Sequence, residues 1–151
     1  MELNKEDTFK SIVREYSSNS FEVAEKMCLE FLKKYPEEIR VLNILGALFV
    51  QKEDFNKAII YLEKTINIKN DYAIGYNNLG LVYRSLNKDE TALSYFKKAI
   101  FYNDQYKEAY NNIGITYQSL KKISEAIKSL RKAISIDKNY FQPYYNLGNI
   151  K

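Results

Sequence analysis

The sequence has no histidine and no tryptophan, and it contains one cysteine, two prolines and five glycines among 151 residues. Without histidine the chain lacks the commonest general base and the commonest metal ligand of proteins. No serine, threonine or cysteine can be activated by a histidine partner, and no glycine-rich phosphate-binding loop is present. We therefore predict that the chain is not an enzyme, with no catalytic residue, no metal site and no cofactor.

Long apolar segments are also absent. No stretch approaches the roughly 18 consecutive apolar residues from which a membrane-spanning helix is built, and the first residues do not form an apolar signal region. A single cysteine cannot form an internal disulfide and is typical of a reducing compartment. These features predict a cytoplasmic protein without a membrane partner, in which Cys28 is a small buried core residue.

The positive charge is spread along the sequence. The formal net charge is +4, from 23 lysines and arginines and 19 aspartates and glutamates. The lysines are interspersed with glutamates, a pattern that favours a solvated outer surface over a nucleic-acid interface. Many of the 14 tyrosines recur at positions that suit core packing better than base stacking. We predict no nucleic-acid partner, and nucleic-acid binding is the weaker alternative.

The dominant pattern is a repeat of 34 residues. Gly46, Gly80, Gly114 and Gly148 recur at intervals of 34 residues, each directly after a leucine or isoleucine. If each glycine is numbered position 8, large residues recur at positions 4, 11 and 24 and an alanine recurs at position 20. Positions 4, 7, 8 and 11 share one face of a helix, and positions 20, 24 and 27 share one face of a second helix. Such a period indicates a stack of helix pairs that touch at the glycine and the alanine.

The pattern large-x-x-Leu-Gly-x-x-Tyr followed by Ala-x-x-x-Phe closely resembles the tetratricopeptide repeat family. The resemblance implies an all-α fold, namely a right-handed α-solenoid of stacked antiparallel helix pairs that forms a single domain over residues 1–151. It implies a degenerate repeat at 5–38, full repeats at 39–72, 73–106 and 107–140, and a partial repeat with one helix at 141–151. Before the last three repeats, short polar residues are predicted to cap the next helix: Asp71, Asp104 and Asn139.

The resemblance also implies where a partner binds. In this family the first helix of each pair lines a concave groove, and position 6 of that helix carries Asn78, Asn112 and Asn146. A carboxamide offers both a donor and an acceptor, so a ladder of asparagines can bind an extended peptide backbone. The candidate peptide-binding residues on this face are Asn77, Asn78, Arg84, Asn111, Asn112, Gln118 and Asn146.

The leading hypothesis is a non-catalytic protein–protein interaction module that binds an extended peptide or a partner helix in its concave groove. One alternative is the N-terminal recognition arm of a larger enzyme, of the glycosyltransferase or sulfotransferase kind. Another is a self-assembling scaffold, because the last helix carries Tyr144, Leu147 and Ile150 at its outer edge. A heat-shock chaperone tail is not expected, because the basic residues with which chaperone-binding members hold a terminal carboxylate are mostly missing.

Overall fold

The computed structural model describes residues 4–150, and within that range every regular element is an α-helix. Most of the helices are 13 or 14 residues long, and α9 has seven. This confirms the predicted all-α helical repeat solenoid. None of these helices is long and apolar enough to cross a membrane. The helices are α1 Lys5–Ser17, α2 Phe21–Lys34, α3 Ile39–Gln51, α4 Phe55–Ile68, α5 Ala73–Ser85, α6 Asp89–Tyr102, α7 Lys107–Ser119, α8 Ile123–Ile136 and α9 Gln142–Gly148.

The described residues form two compact units. The N-terminal unit extends to Asn70 and contains α1 to α4, and the C-terminal unit begins at Asp71 and contains α5 to α9. In the N-terminal unit α1 packs against α2, and α3 packs against α4. In the C-terminal unit α5 packs against α6, α7 packs against α8, and α9 packs against both α7 and α8. The division into five repeats of a single domain stays a prediction.

The turn inside each helix pair has the same backbone geometry four times. The middle of the three residues between the helices recurs at intervals of 34 and has a left-handed φ angle between 56° and 60°: Asn19, Glu53, Asn87 and Lys121. In the last of these turns the N–H of Lys121 donates to the carbonyl of Gln118 at 3.0 Å, and the N–H of Lys122 donates to that of Tyr117 at 2.8 Å. These bonds satisfy the last carbonyl groups of the helix. The first helix pair keeps this turn although its sequence has lost the Leu-Gly pair.

The glycine at position 8 lies where the two helices of a pair touch, as predicted. A Cβ atom added to Gly114 would lie 2.6 Å from Leu130 Cγ, and one added to Gly80 would lie 2.5 Å from the ring of Phe96. The large residue at position 24 therefore packs directly against the glycine of its partner helix. Cys28 occupies the same position in the first pair and is fully buried, as predicted.

The predicted helix caps in the later repeats are wrong. The residues predicted as caps were Asp71, Asp104 and Asn139. The observed N-cap residues of α5, α7 and α9 are Tyr72, Tyr106 and Phe141, and none of them accepts a cap hydrogen bond. Each helix begins later than the polar residue suggested. Earlier in the loops, Asn103 and Asp137 accept the N–H of the residue two positions on, at 3.1 and 2.9 Å, in Asx turns.

We expect Gly114→Ala to lower the free energy of unfolding by ~1–3 kcal/mol, because the added methyl group overlaps the Leu130 side chain. The matched control is Gly148→Ala, since a Cβ atom at Gly148 meets nothing within 4 Å. Urea denaturation of the full chain measures both changes. Equal stability of the Gly114→Ala variant and the wild type would contradict the close helix contact.

Candidate functional site

One side of the C-terminal unit is formed by the first helix of each pair. There α5 contacts α7 and α7 contacts α9, whereas the Cα atoms of α6 and α8 stay more than 8 Å apart. Helices that touch on one side and separate on the other leave the touching side concave. We call the surface of α5, α7 and α9 on this side the carboxamide face, after the asparagines that it carries.

All seven predicted site residues lie in the C-terminal unit, on α5, α7 and α9. Three of them are buried, with 4%, 5% and 9% of their surface exposed: Asn77, Asn111 and Asn112. The other four are half-buried: Asn78, Arg84, Gln118 and Asn146. The asparagines at positions 5 and 6 are therefore less accessible than a freely exposed ladder would be.

The structure joins four of these asparagines into two pairs. Asn112 Nδ2 donates to Asn77 Oδ1 at 2.9 Å and connects α7 to α5. Asn146 Nδ2 donates to Asn111 Oδ1, also at 2.9 Å, and connects α9 to α7. In both pairs the donor follows the acceptor by 35 residues, which is one repeat plus one position. The carboxamides therefore hold neighbouring repeats together as well as forming a surface.

Each asparagine pair has a side-chain donor and a side-chain acceptor that the pairing does not use. A pair uses one Nδ2 hydrogen and one Oδ1 atom. Asn77 Nδ2 and Asn112 Oδ1 make no hydrogen bond to any residue that the structure describes. Among the described residues neither atom is fully buried without a partner, so both keep contact with solvent. Asn111 Nδ2 and Asn146 Oδ1 likewise have no partner among the described residues and keep contact with solvent. Each pair thus presents one donor and one acceptor to the carboxamide face.

A second group of polar residues lies at the C-terminal ends of α5 and α7: Arg84, Gln118 and Ser119. Ser119 Oγ donates a hydrogen bond of 2.5 Å to Asp89, which lies in the first turn of α6. Gln118 Nε2 donates to the backbone carbonyl of Asn149 at 3.3 Å. Burial lowers the pKa of the Arg84 guanidinium, and the nearby Asp89 carboxylate opposes this effect. Arg84 nevertheless forms no hydrogen bond or ion pair with any described residue.

Sequence reasoning missed Asp89. It lies in the first turn of α6, and its contact with Ser119 joins residues 30 positions apart in the sequence. Sequence reasoning also missed the pairing between positions 5 and 6. The signal that was available is the recurrence of Asn-Asn at positions 5 and 6 in two consecutive repeats, at Asn77-Asn78 and Asn111-Asn112.

Several tyrosines and lysines of the C-terminal unit pack on one another. The rings of Tyr83 and Tyr95 stack with centroids 5.2 Å apart. Lys98 Nζ lies 5.6 Å from the Tyr95 centroid, and Lys97 Nζ lies 5.7 Å from that of Tyr117. These ring–ring and cation–π contacts occupy aromatic surface that base stacking would require.

The described residues contain no cluster of three or more His, Cys, Asp or Glu side chains that could hold a metal ion.

Burial and the charge of Glu25 raise the pKa of the Cys28 thiol to about 12. A thiol with such a pKa stays protonated near neutral pH and is a poor nucleophile.

Models of the tetratricopeptide repeat match most of the chain. One of them matches residues 39–72 and 73–105, and a second matches residues 108–140. These segments contain the helix pairs α3–α4, α5–α6 and α7–α8. No curated protein matches the sequence.

Three solved structures have a similar fold. TTC0263, a thermophilic TPR protein of Thermus thermophilus, is 20% identical over 97% of this chain and 81% of its own, with a TM-score of 0.86. The first TPR of Spaghetti (RPAP3), bound to an HSP90 peptide, is 24% identical over 75% of this chain and 90% of its own, with a TM-score of 0.71. YrrB, a TPR protein with an unusual peptide-binding site, is 20% identical over 91% of this chain and 71% of its own, with a TM-score of 0.75.

We expect Asn112→Ala to lower the free energy of unfolding by ~1–3 kcal/mol, because it leaves the buried Asn77 oxygen without its donor. The double variant Asn77→Ala/Asn112→Ala should cost less than the sum of the two single variants, because it removes both partners together. Urea denaturation provides all three values. Asn139→Ala is the control, since the Asn139 side chain is exposed and makes no hydrogen bond. Strictly additive losses would contradict the pairing.

Proposed function

The chain belongs to the tetratricopeptide repeat family, and from that membership we propose a non-catalytic interaction module whose carboxamide face binds an extended peptide or a partner helix. The observation that carries this proposal is the row of paired asparagines at Asn77–Asn112 and Asn111–Asn146. Each pair keeps a donor and an acceptor in contact with solvent.

Paired carboxamides suit a peptide backbone for a physical reason. A backbone in an extended conformation presents N–H and C=O groups at regular intervals, and each residue needs one acceptor and one donor. A neutral carboxamide supplies both without specifying the peptide's side chains. Because the pairing fixes the orientation of each carboxamide, little conformational entropy is lost when the peptide binds.

The structural neighbours support binding of a peptide. The first TPR of Spaghetti is bound to an HSP90 peptide, and YrrB is described as having a peptide-binding site. Their identity to this chain is 24% and 20%, so they support the mode of binding and not the identity of a partner. A non-catalytic role is supported by the lack of histidine in the sequence and by the high pKa of the buried Cys28 thiol. A cytoplasmic location belongs to the same proposal.

Self-association through the C-terminal edge is a second candidate, favoured by the surface of α9. Phe141 and Tyr145 are 69% and 70% exposed. Gly148 has no side chain within 4 Å of the position of an added Cβ, whereas Gly114 is covered by Leu130. Exposed aromatic residues beside an uncovered glycine form an apolar surface that a second copy of the chain can bury.

Light scattering at increasing protein concentration tests this candidate. The average mass of the wild type should rise with concentration, whereas the variant Phe141→Ser/Tyr145→Ser should remain a monomer. A wild type that stays monomeric at every concentration would contradict self-association. It would not contradict peptide binding at the carboxamide face.

The carboxamide face is tested with decapeptides selected by the immobilised wild-type chain from a random synthetic library. For a selected peptide labelled with fluorescein, the variant Asn78→Ala/Asn112→Ala/Asn146→Ala should lose at least about tenfold in affinity. The reason is that it removes several hydrogen bonds, each worth a net ~0.5–1.5 kcal/mol. Fluorescence anisotropy measures the dissociation constants at a temperature where every variant is folded.

Two control variants separate loss of the site from loss of stability. Lys128→Gly is also destabilised, by about 1 kcal/mol, because it places a glycine inside the exposed side of α8. Lys97→Glu/Lys98→Glu reverses two charges on the exposed side of α6. Both should bind the peptide as the wild type does. Normal binding by the asparagine variant, with binding lost in the lysine variant, would place the peptide on the opposite side.

A further inference from the structure

A groove runs between α6 and α8, with side chains of α7 at its floor. The Cα atoms of α6 and α8 stay more than 8 Å apart, and a cavity of about 230 Å³ lies between the two helices. We call this cavity and its rim the outer groove. Its apolar and aromatic lining is half-buried or buried and consists of Ile100, Tyr110, Ile113 and Tyr117. None of these residues belongs to the carboxamide face.

The outer groove has room for one large apolar side chain. Its volume is smaller than the roughly 300–1,000 Å³ of pockets that bind small organic ligands. The rings of Tyr110 and Tyr117 offer an inserted side chain both apolar and ring-edge contacts. Phe101 lies one turn beyond Lys97 on the same side of α6 and is 80% exposed, so it adds apolar surface outside the cavity.

Three lysines border the outer groove without an ion pair. Lys97 Nζ lies 5.7 Å from the ring centroid of Tyr117, and Lys132 Nζ lies 5.8 Å from that of Tyr110. One ammonium group from each helix therefore lies over the aromatic lining. Lys128 lines the cavity one turn before Lys132. None of the three lysines forms an ion pair with a described residue, so their charges remain available to an acidic partner.

The acidic residues of α6 and α8 do not neutralise this charge. Glu125 lines the cavity but forms no ion pair with a described residue. The other two carboxylates of these helices, Asp89 and Glu90, lie in the first turn of α6. By contrast Lys52, in the N-terminal unit, donates to Glu25 at 2.6 Å. The outer groove thus combines an apolar floor with an excess of positive charge at its rim.

We propose that the outer groove is a second docking surface, which binds an acidic amphipathic helix of a partner protein. One large apolar side chain of that helix enters the cavity between Lys97 and Lys132. The lining contains no carboxamide, so it suits a helix, which satisfies its own backbone hydrogen bonds and presents only side chains. Carboxylates three or four positions from the apolar residue lie about 5–6 Å from it on the same face. They therefore reach the ammonium groups that lie over the tyrosine rings.

The test uses a synthetic helix as the probe. It is a fluorescein-labelled, hydrocarbon-stapled alanine helix with one central phenylalanine and a glutamate three and four positions before and after it. Two matched probes replace every glutamate by glutamine or the phenylalanine by alanine. Stapling is needed because free helices shorter than about 12–15 residues are marginal in water. For the same reason, the decapeptides selected for the carboxamide face are too short to occupy the outer groove as helices.

Fluorescence anisotropy with the full chain measures the affinity of each probe. We expect the wild type to bind the glutamate probe about fivefold or more tightly than the glutamine probe, and added salt should reduce this difference. Loss of the phenylalanine should weaken binding by roughly tenfold or more. The variant Ser129→Leu places a side chain of α8 in the cavity, so it should no longer distinguish the phenylalanine probe from the alanine probe.

Charge variants of the rim locate the binding site. Lys97→Gln/Lys132→Gln should show little preference for glutamate over glutamine. Lys97→Glu/Lys132→Glu should instead prefer a probe with lysine in place of glutamate, a reversal that a purely structural role of these lysines would not produce. The control Lys88→Gln/Lys138→Gln removes two exposed charges outside the outer groove and should bind as the wild type does. Urea denaturation verifies that each variant is folded.

Three results would overturn the proposal while the proposed function stands. They are no binding of the glutamate probe by the wild type, equal binding of the glutamate and glutamine probes, and an unchanged preference in Lys97→Glu/Lys132→Glu. Self-association that Lys97→Glu/Lys132→Glu abolishes would also overturn it, because the occupant would then be a second copy of the chain. Failure of decapeptides to bind would contradict the proposed function and leave the outer groove as proposed.

Discussion

The close contact between a glycine on one helix and a large side chain on the next is the constraint on which the rest of the structure depends. At Gly46, Gly80 and Gly114 a Cβ atom would lie 2.5 to 2.6 Å from the facing Leu or Phe side chain. This contact sets the spacing within each helix pair. The pairs in turn place α5, α7 and α9 side by side in the C-terminal unit. In this arrangement asparagines 35 residues apart reach each other at 2.9 Å.

The repeat fold was predictable because its signal is redundant. The glycine, the alanine at position 20 and the large residue at position 24 recur together, and each is explained by the same helix contact. The left-handed turn residue shows that geometry can persist without a sequence signature, because Asn19, Glu53 and Lys121 adopt similar φ angles with different side chains. The capping residues were mispredicted because short polar residues are favoured in loops as well as at helix caps, so their presence before a helix does not identify its cap.

From the sequence, only the side of the helices on which the candidate site lies was predictable. The periodicity places Asn77 and Asn112 on the same side of neighbouring first helices. It does not reveal that their side chains bond to each other, because a hydrogen bond depends on ångström distances that a repeat pattern does not encode. Burial of these asparagines has two consequences. It makes their pairing important for stability, and it holds the remaining donors and acceptors in fixed directions. Arg84 was recognised from its position, but its lack of a partner is visible only in three dimensions.

Nuclear magnetic resonance of the asparagine side chains is the most direct test of the carboxamide face. In a nitrogen–proton correlation spectrum, the Nδ2 signals of Asn77 and Asn111 should shift when a selected decapeptide is added. These Nδ2 atoms are the hydrogen-bond donors that the asparagine pairs do not use. The backbone amide signals on the exposed sides of α6 and α8 should stay in place. Unchanged asparagine signals, together with shifts confined to α6 and α8 at saturating peptide, would contradict the account.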